Sequence, residues 1–219
     1  MADKPPVALE ARGEDGDGRR YSPSAARNRE PIRDAISQLI SRPARILEIA
    51  SGTGEHGAFL TTSLQGVDWS YSDIDPESLV SQAAWKALDS TDRLHGPLTI
   101  DASSDDWNSA ETGDGWDAIF SANMVHIAPW SAATGLIRGA GRLLGPGGQL
   151  ILYGPFARDG VIAPSNAAFD ESLKSRNPDW GVRDLDRDIV PLTAAAGLAL
   201  HSVIEMPANN LTVSFRKRA

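Results

Sequence analysis

The sequence predicts an α/β fold: a mostly parallel sheet of seven strands, helices on both faces, and one antiparallel edge. Three observations carry this. Short apolar runs bounded by Gly, Pro and Asp alternate with stretches of helical periodicity, the pattern of strand–helix–strand units. The first apolar run is cut off by a glycine-rich turn containing Gly52, Gly54 and Gly57. The last two apolar runs are separated only by Pro207, Ala208, Asn209 and Asn210, short enough to join neighbouring antiparallel strands.

Bulk composition bounds the rest. A chain of 219 residues suffices for one α/β domain with a real core. With 41% hydrophobic and 23% charged residues it has the balance of a soluble globular protein. Its net charge of -8 disfavours nucleic acid as a partner, since such binders carry a basic face. The absence of cysteine excludes disulfides, thiol catalysis and thiolate metal sites. No apolar leader follows Met1 and no apolar run nears the ~20 residues of a membrane span, so a cytoplasmic protein with no membrane partner is expected.

Taken in order, residues 1–22 read as a mobile polar tail and 23–219 as a single domain. Ile32, Ile36, Leu39 and Ile40 recur at helical spacing; Pro31 predicts a break near Glu30 and a main helix starting at the proline. A first strand is expected over 45–50, a helix over 56–64 and a second strand over 67–73. Asp75 can cap the next helix, with Pro76 in its first turn. A short third strand over 98–101 precedes a polar loop, 102–115, with one helical turn. The fourth strand spans 116–122. A helix over 131–144 is stopped by Gly145-Pro146-Gly147-Gly148, and the fifth strand covers 149–153. Residues 154–190 form the longest irregular segment, amphipathic near 166–175, and are expected to cover the substrate. A helix carrying Val190, Leu192, Ala195 and Ala196 then leads to strands over 198–206 and 211–216.

The glycine turn matches G-x-G-x-x-G, which also fits a dinucleotide fold with Asp73 as its acid. Glu48 extends it to Glu-x-x-x-Gly-x-Gly, which resembles the cofactor motif of the S-adenosylmethionine-dependent methyltransferases. A closer resemblance is to one methyltransferase-like family, DUF938. It runs through Ala26-Arg27-Asn28-Arg29-Glu30-Pro31-Ile32 and Leu47-Glu48-Ile49-Ala50-Ser51-Gly52-Thr53-Gly54-Glu55-His56. It continues through Ser72-Asp73-Ile74-Asp75, Asn123-Met124-Val125-His126-Ile127 and Leu152-Tyr153-Gly154-Pro155-Phe156. Asn166, Phe169-Asp170, Trp180-Gly181-Val182-Arg183-Asp184 and Met206-Pro207-Ala208-Asn209-Asn210 complete it. The resemblance implies a Rossmann-like sheet of order 3-2-1-4-5-7-6 with the last strand antiparallel. It implies S-adenosylmethionine as cofactor and S-adenosylhomocysteine as product.

The chemistry of that cofactor distributes the expected roles. Asp73, with Ile74 beside it, can accept from both ribose hydroxyls, or can serve as a cap. Asp101 and Ala102 lie where the adenine amine is expected. Trp107 can stack on the adenine, or be an ordinary loop aromatic. The backbone of Ala50, Ser51, Gly52, Thr53 and Gly54 is expected against the ribose and amino-acid part. Glu48 can orient that loop or meet the ammonium. Asn28 or Arg29 can meet the carboxylate, and Asn123 faces the methionine end.

On the acceptor side, His126 is a candidate base at the rim of the fourth strand, or a loop-shaping residue. Tyr153 is a candidate donor to the acceptor. Tyr21, Trp130, Asn166, Phe169, Asp170 and Arg183 are candidate substrate contacts. Arg183 can pair with Asp170 or Asp184, or hold an anionic acceptor. His56 is read as structural or cofactor-shaping, and Asn209 and Asn210 as turn residues of which one can reach the site. No residue cluster resembles a metal site. The expected reaction is methyl transfer to a small molecule by a monomer or homodimer. An NAD-linked oxidoreductase and a non-catalytic cofactor-binding scaffold are the competing readings.

Overall fold

The computed structural model describes residues 12–218. A small hairpin, β1 (Gly13–Glu14) and β2 (Arg20–Tyr21), leads into α1 (Pro23–Leu39). Then follow β3 (Ala44–Glu48), α2 (Glu55–Ser63), β4 (Val67–Asp73), α3 (Pro76–Ala87), β5 (Leu94–Thr99) and β6 (Trp116–Ala122). The chain continues through α4 (Trp130–Leu143), β7 (Leu144–Gly154), α5 (Pro164–Arg176), α6 (Val190–Ala195), β8 (Leu198–Met206) and β9 (Asn210–Lys217). The large sheet has seven strands in the order β5-β4-β3-β6-β7-β9-β8, which is the expected 3-2-1-4-5-7-6. Its first five strands pair in parallel, and β9 runs antiparallel between β7 and β8.

Both faces of this sheet are covered, so its central strands are apolar without a break. Alternate residues along β3 enter opposite cores. Ile46 joins Trp69, Phe120 and Ile151 under Ile32 and Ile36 of α1 and Leu60 of α2. Leu47 joins Ile119, Leu150 and Leu152 under Leu136, Ile137 and Ala140 of α4. This sandwich fixes the carboxyl ends of β3, β4, β6 and β7 on one rim.

Three expectations are corrected. The helix does not break at Glu30: α1 runs unbroken through Pro31, its start capped by the Ser22 hydroxyl accepting from the Ala25 amide at 3.4 Å. Ile32, Ala35 and Ile36 are buried, and that apolar burial outweighs the hydrogen bond a mid-helix proline forgoes. The third strand begins at Leu94 rather than residue 98, because Pro97 lies on an edge strand at a register shift between Ser70 and Ser72 of its partner. The Gly145–Gly148 breaker sits inside β7: pairing passes from Trp116–Leu144 to Ala118–Gln149, and the intervening residues bulge out. The expected tail lies partly outside the described residues. Its described part is the β1–β2 hairpin, docked on α3 by the Arg20 amide donating to Ser81 at 2.9 Å and by the edge-on Tyr21–Trp85 contact at 5.3 Å. Among the described residues no helix is long and apolar enough to cross a membrane.

Candidate active site

A cleft of about 600 Å³ opens at the carboxyl rim of the sheet. One wall is the turn after β3, from Glu48 through Thr53; another is the start of α1, from Ser22 to Asn28. Asn123 and Ile127 contribute beyond β6, and Ser165, Asn166, Phe169, Ser172 and Arg176 line it from α5. Ala208 and Asn210 close it from the β8–β9 turn. A second concavity, about 360 Å³ between residues 111–115 and 142–146, lies at the opposite ends of the strands, away from these side chains.

The glycine turn is held from behind. Ser51 N donates to the Ser72 carbonyl at 2.8 Å, Gln82 Nε2 to the Gly52 carbonyl at 3.0 Å, and Ser81 Oγ to the Thr53 carbonyl at 2.7 Å. The Tyr71 hydroxyl donates to the Gly54 carbonyl. Gly52 and Gly54 take positive φ, 57° and 87°, as the tight turn requires. Ala50 is forced into the same region, with φ of 58°, a strained state for a residue with a Cβ. The result is a preset backbone cradle at the amino end of α2.

Asp73 is 94% buried and its oxygens are largely engaged: Oδ1 accepts from the Ile74 and Asp75 amides at 2.8 and 3.0 Å, Oδ2 from the Gly52 amide at 2.8 Å. Burial nonetheless pushes its carboxyl up. Of the about four lone-pair positions of its carboxylate, Asp73 gives three to backbone amides. It ties the glycine turn to β4 and leaves one position on Oδ2, near Gln82 Nε2 at 3.4 Å. Ile74, 53% exposed, presents an apolar face just outside. Asp101 is close by, since Ile100 N donates to the Asp73 carbonyl at 3.0 Å; its carboxylate accepts from the Ser103 amide and hydroxyl at 2.8 and 2.6 Å. The backbone of Ala102 rests against Gly135 of α4.

Trp107 does not present a stacking face. It is 1% exposed, packed in the core against Gly139, and its Nε1 donates to the Asp101 carbonyl at 3.1 Å. It anchors the loop that carries Asp101. Arg29 likewise points away from the cleft, its guanidinium 4.9 Å from the centre of the Phe59 ring.

His126 is sealed. It is fully buried, its Nδ1 accepts from the Arg183 amide at 3.2 Å, and burial with the nearby Arg183 charge holds its pKa down to about 3. A neutral imidazole with an occupied lone pair is no base for an acceptor, so the loop-shaping reading is the one the geometry supports. Arg183 has a matching duty. It donates to the carbonyls of Val125, Ala128 and Asp179 at 3.0, 3.0 and 2.7 Å and lies over the Trp130 ring at 5.4 Å. Asp170 accepts from the Val182 amide at 2.8 Å and from Lys174 Nζ at 2.5 Å; Asp184 caps the turn before α6. Neither acid pairs with Arg183. Together these groups clamp residues 179–184 to the loop after β6. Tyr21 is committed to Trp85 and to Asp15, to which its hydroxyl donates at 2.6 Å.

Tyr153 is 5% exposed and does not line the cleft; burial raises its pKa, with the Asn28 side chain opposing the shift. Asn28 does line the cleft, and its Oδ1 lies 2.8 Å from His56 Nε2. His56 Nδ1 lies 3.8 Å from Glu48 Oε1, and Glu48 Oε2 accepts from Trp69 Nε1 at 2.9 Å. Half-buried Asn28 and buried His56 and Glu48 thus line the cleft, with Glu48 held from behind by Trp69. Asn166, 96% buried, donates to the Asn209 carbonyl at 2.9 Å and joins α5 to the β8–β9 turn. Asn123, in left-handed conformation with φ of 61°, turns the chain after β6.

His56, read from sequence as structural or cofactor-shaping, borders the cleft. Sequence reasoning missed Arg12 and Arg176, which with Arg27 place three cations on the rim. For Arg176 there was a signal, since Ser165, Phe169, Ser172 and Arg176 recur on one helical face. Among the described residues no group of three His, Cys, Asp or Glu could hold a metal ion.

Solved methyltransferase structures share this fold. An O-methyltransferase family protein from Burkholderia thailandensis superposes with a TM-score of 0.73 at 18% identity, over 90% of this chain and 58% of the other. The mitomycin 7-O-methyltransferase MmcR gives 0.72 at 16%, over 89% and 54%. The chain therefore spans somewhat over half the length of these O-methyltransferases. A protein from Galdieria sulphuraria, provisionally assigned as a sarcosine dimethylglycine methyltransferase, matches end to end: 0.69 at 16%, over 94% of both chains. A family model described as a protein of unknown function, DUF938, matches residues 19–217. With nearly its whole length under that model, the chain belongs to the DUF938 family.

Proposed function

We propose that this protein is an S-adenosylmethionine-dependent methyltransferase acting on a small-molecule acceptor. The observation that carries the reading is the continuity of one cleft, about 600 Å³, from the glycine turn to α5. That volume is within the range of small-molecule sites, roughly 300–1,000 Å³.

The residues fit the cofactor. The strained turn at Ala50–Gly54 lets backbone come close to a ribose and an amino-acid tail. Ile74 offers an apolar surface for an adenine, and Asp101 an acceptor for its amine. Glu48 is the acid lining the cleft, placed for an ammonium, and Asn28 and Arg27 stand at the start of α1 for a carboxylate. When bound, the cofactor would supply a methyl group activated by a positively charged sulfur.

The protein's own part is positioning and exclusion of water. Residues 154–190 act as the acceptor cover, with Asn166 and Phe169 on their inner face. The clamp built by Arg183 and His126 holds that cover against the loop after β6. His126 and Tyr153 act at one remove from the acceptor, one by fixing the cover and the other by standing beside Asn28.

Isothermal titration with S-adenosylhomocysteine, and separately with oxidised and reduced nicotinamide dinucleotide, tests the reading. Saturable uptake of the first and not the others is expected. Uptake of a nicotinamide dinucleotide alone, or of none, refutes it.

A further inference from the structure

The cleft holds a buried acid that no lysine or arginine among the described residues balances. Glu48 is 1% exposed, yet it closes β3 and lines the cleft. Its one strong donor is Trp69 Nε1, on Oε2. Among the described residues its only basic neighbour within ion-pair reach is His56, whose Nδ1 lies 3.8 Å from Oε1.

The hydrogen bond to Asn28 sets the state of that histidine. Asn28 Oδ1, as an amide oxygen, can only accept, so His56 Nε2 is the donor across their 2.8 Å contact. Nε2 therefore carries the proton, and Nδ1 turns a lone pair toward Glu48. A carboxylate there would face a lone pair in a site shielded from water. An uncharged carboxylic acid sets no anion against that lone pair.

We propose that Glu48 is an uncharged acid before the cofactor binds, and that it releases its proton when the ammonium of the cofactor's amino-acid end arrives beside it. The O–H bond breaks, its electron pair stays on the carboxylate, the proton passes to solvent, and a carboxylate–ammonium pair remains. Glu48 is then the residue that selects a ligand bearing the charged amino-acid end. This rests on the cofactor reading above.

The surrounding charges agree. Burial pushes Glu48 up to about 8, with Asp73 at the end of β4 adding to the shift. Trp69 and the Ser51 hydroxyl oppose it. Burial holds His56 down to about 4, with Arg29 of α1 as the second cause. Tyr71 of β4 stays protonated, for burial raises it. Glu55 of α2 faces elsewhere, accepting from the Ser22 amide at 2.5 Å and the Thr53 hydroxyl at 3.0 Å. With Arg29 and an incoming cation both against His56, the proton has no resting place in the cleft.

Titration calorimetry of the full chain at pH 7, in phosphate and in Tris, tests this through the different ionisation heats of the buffers. S-adenosylhomocysteine is expected to bind with release of about 0.9 proton, the protonated share of an acid of pKa about 8. 5′-Methylthioadenosine, which keeps the adenosine and sulfur but lacks the amino-acid end, is expected to show no buffer dependence. Glu48→Gln is expected to bind S-adenosylhomocysteine with buffer-independent heat. Infrared spectroscopy of the unaltered protein gives a second readout: a protonated-carboxyl band lost on adding S-adenosylhomocysteine. Buffer-independent heat in the unaltered protein, or release persisting in Glu48→Gln, overturns the proposal and leaves the methyltransferase reading standing. Failure of S-adenosylhomocysteine to bind at all overturns both.

Discussion

Replacing Gly57 with alanine should cost this protein about 2 kcal/mol of stability, although alanine is the better helix former by up to about 1 kcal/mol. A Cβ at Gly57 would stand 2.4 Å from Cε1 of Tyr71 and 2.6 Å from Cδ1 of Trp69. Neither ring is free to move. The Tyr71 hydroxyl is bonded to the Gly54 carbonyl, and Trp69 Nε1 to Glu48. Both rings are fully buried. Overpacking of this kind costs roughly 1–3 kcal/mol, occasionally more, and at least one hydrogen bond worth about 1 kcal/mol is strained with it. Set against the helix gain, a net loss of about 2 kcal/mol remains, which lowers Tm by about 4–8 °C in a chain of this size. Urea unfolding followed by far-UV circular dichroism measures it. Gly113→Ala is the control, for a Cβ there meets nothing within 4 Å. A Gly57→Ala midpoint within error of that control would refute the claim that this glycine exists to let α2 lie on β4.

Three further outcomes are expected. Between pH 6.5 and 8 stability should fall as pH rises, because unfolded Glu48 ionises near 4.5 while the folded state keeps its proton to about 8 and so binds more protons. Glu48→Gln should flatten that interval in chemical denaturation. His56 and His126, held down to about 4 and about 3, act in the opposite sense and only as pH falls below 6.5. Arg183→Met should destabilise by about 1–3 kcal/mol by stranding the Val125, Ala128 and Asp179 carbonyls, and hydrogen exchange should rise in residues 179–184; Arg183→Lys should not restore protection, lacking the forked donors. His126→Gln should lower Tm while leaving the pH profile of turnover without a lost limb near 6–7; disappearance of such a limb would restore His126 as a base.

The fold was legible wherever local signals agreed with burial. The Asp75 cap with Pro76, the fourth strand and the closing antiparallel pair stand as expected, as does the strand order that the family resemblance implied. It was least legible at prolines and glycines, whose meaning depends on their neighbours. Pro31 reads as a start in sequence, but Ile32 and Ile36 hold it inside a helix. Gly145 to Gly148 read as a stop, but the strand resumes its pairing on the far side. The site divides in the same way. Turn residues such as Gly52 and Thr53 are recognisable because backbone geometry leaves its mark on composition. Side chains that act across the fold do not: nothing local separates His126, whose nitrogen is capped by an amide 57 residues away, from a histidine open to ligand. Trp107 was misplaced because nothing in its loop announces the glycine of α4 that receives its ring.

Strand β9 is inserted between two strands made before it. Until it arrives, β7 offers a bare edge of unsatisfied amides and carbonyls, and β8 has no partner in the sheet at all. Assembly of this half must therefore wait for a distant pairing, which is slow because the chain's entropy is spent before any contact is gained. Residues 144–206 are consequently the stretch most exposed to self-association during folding, and a nascent chain stalled before residue 210 should be a target for chaperones.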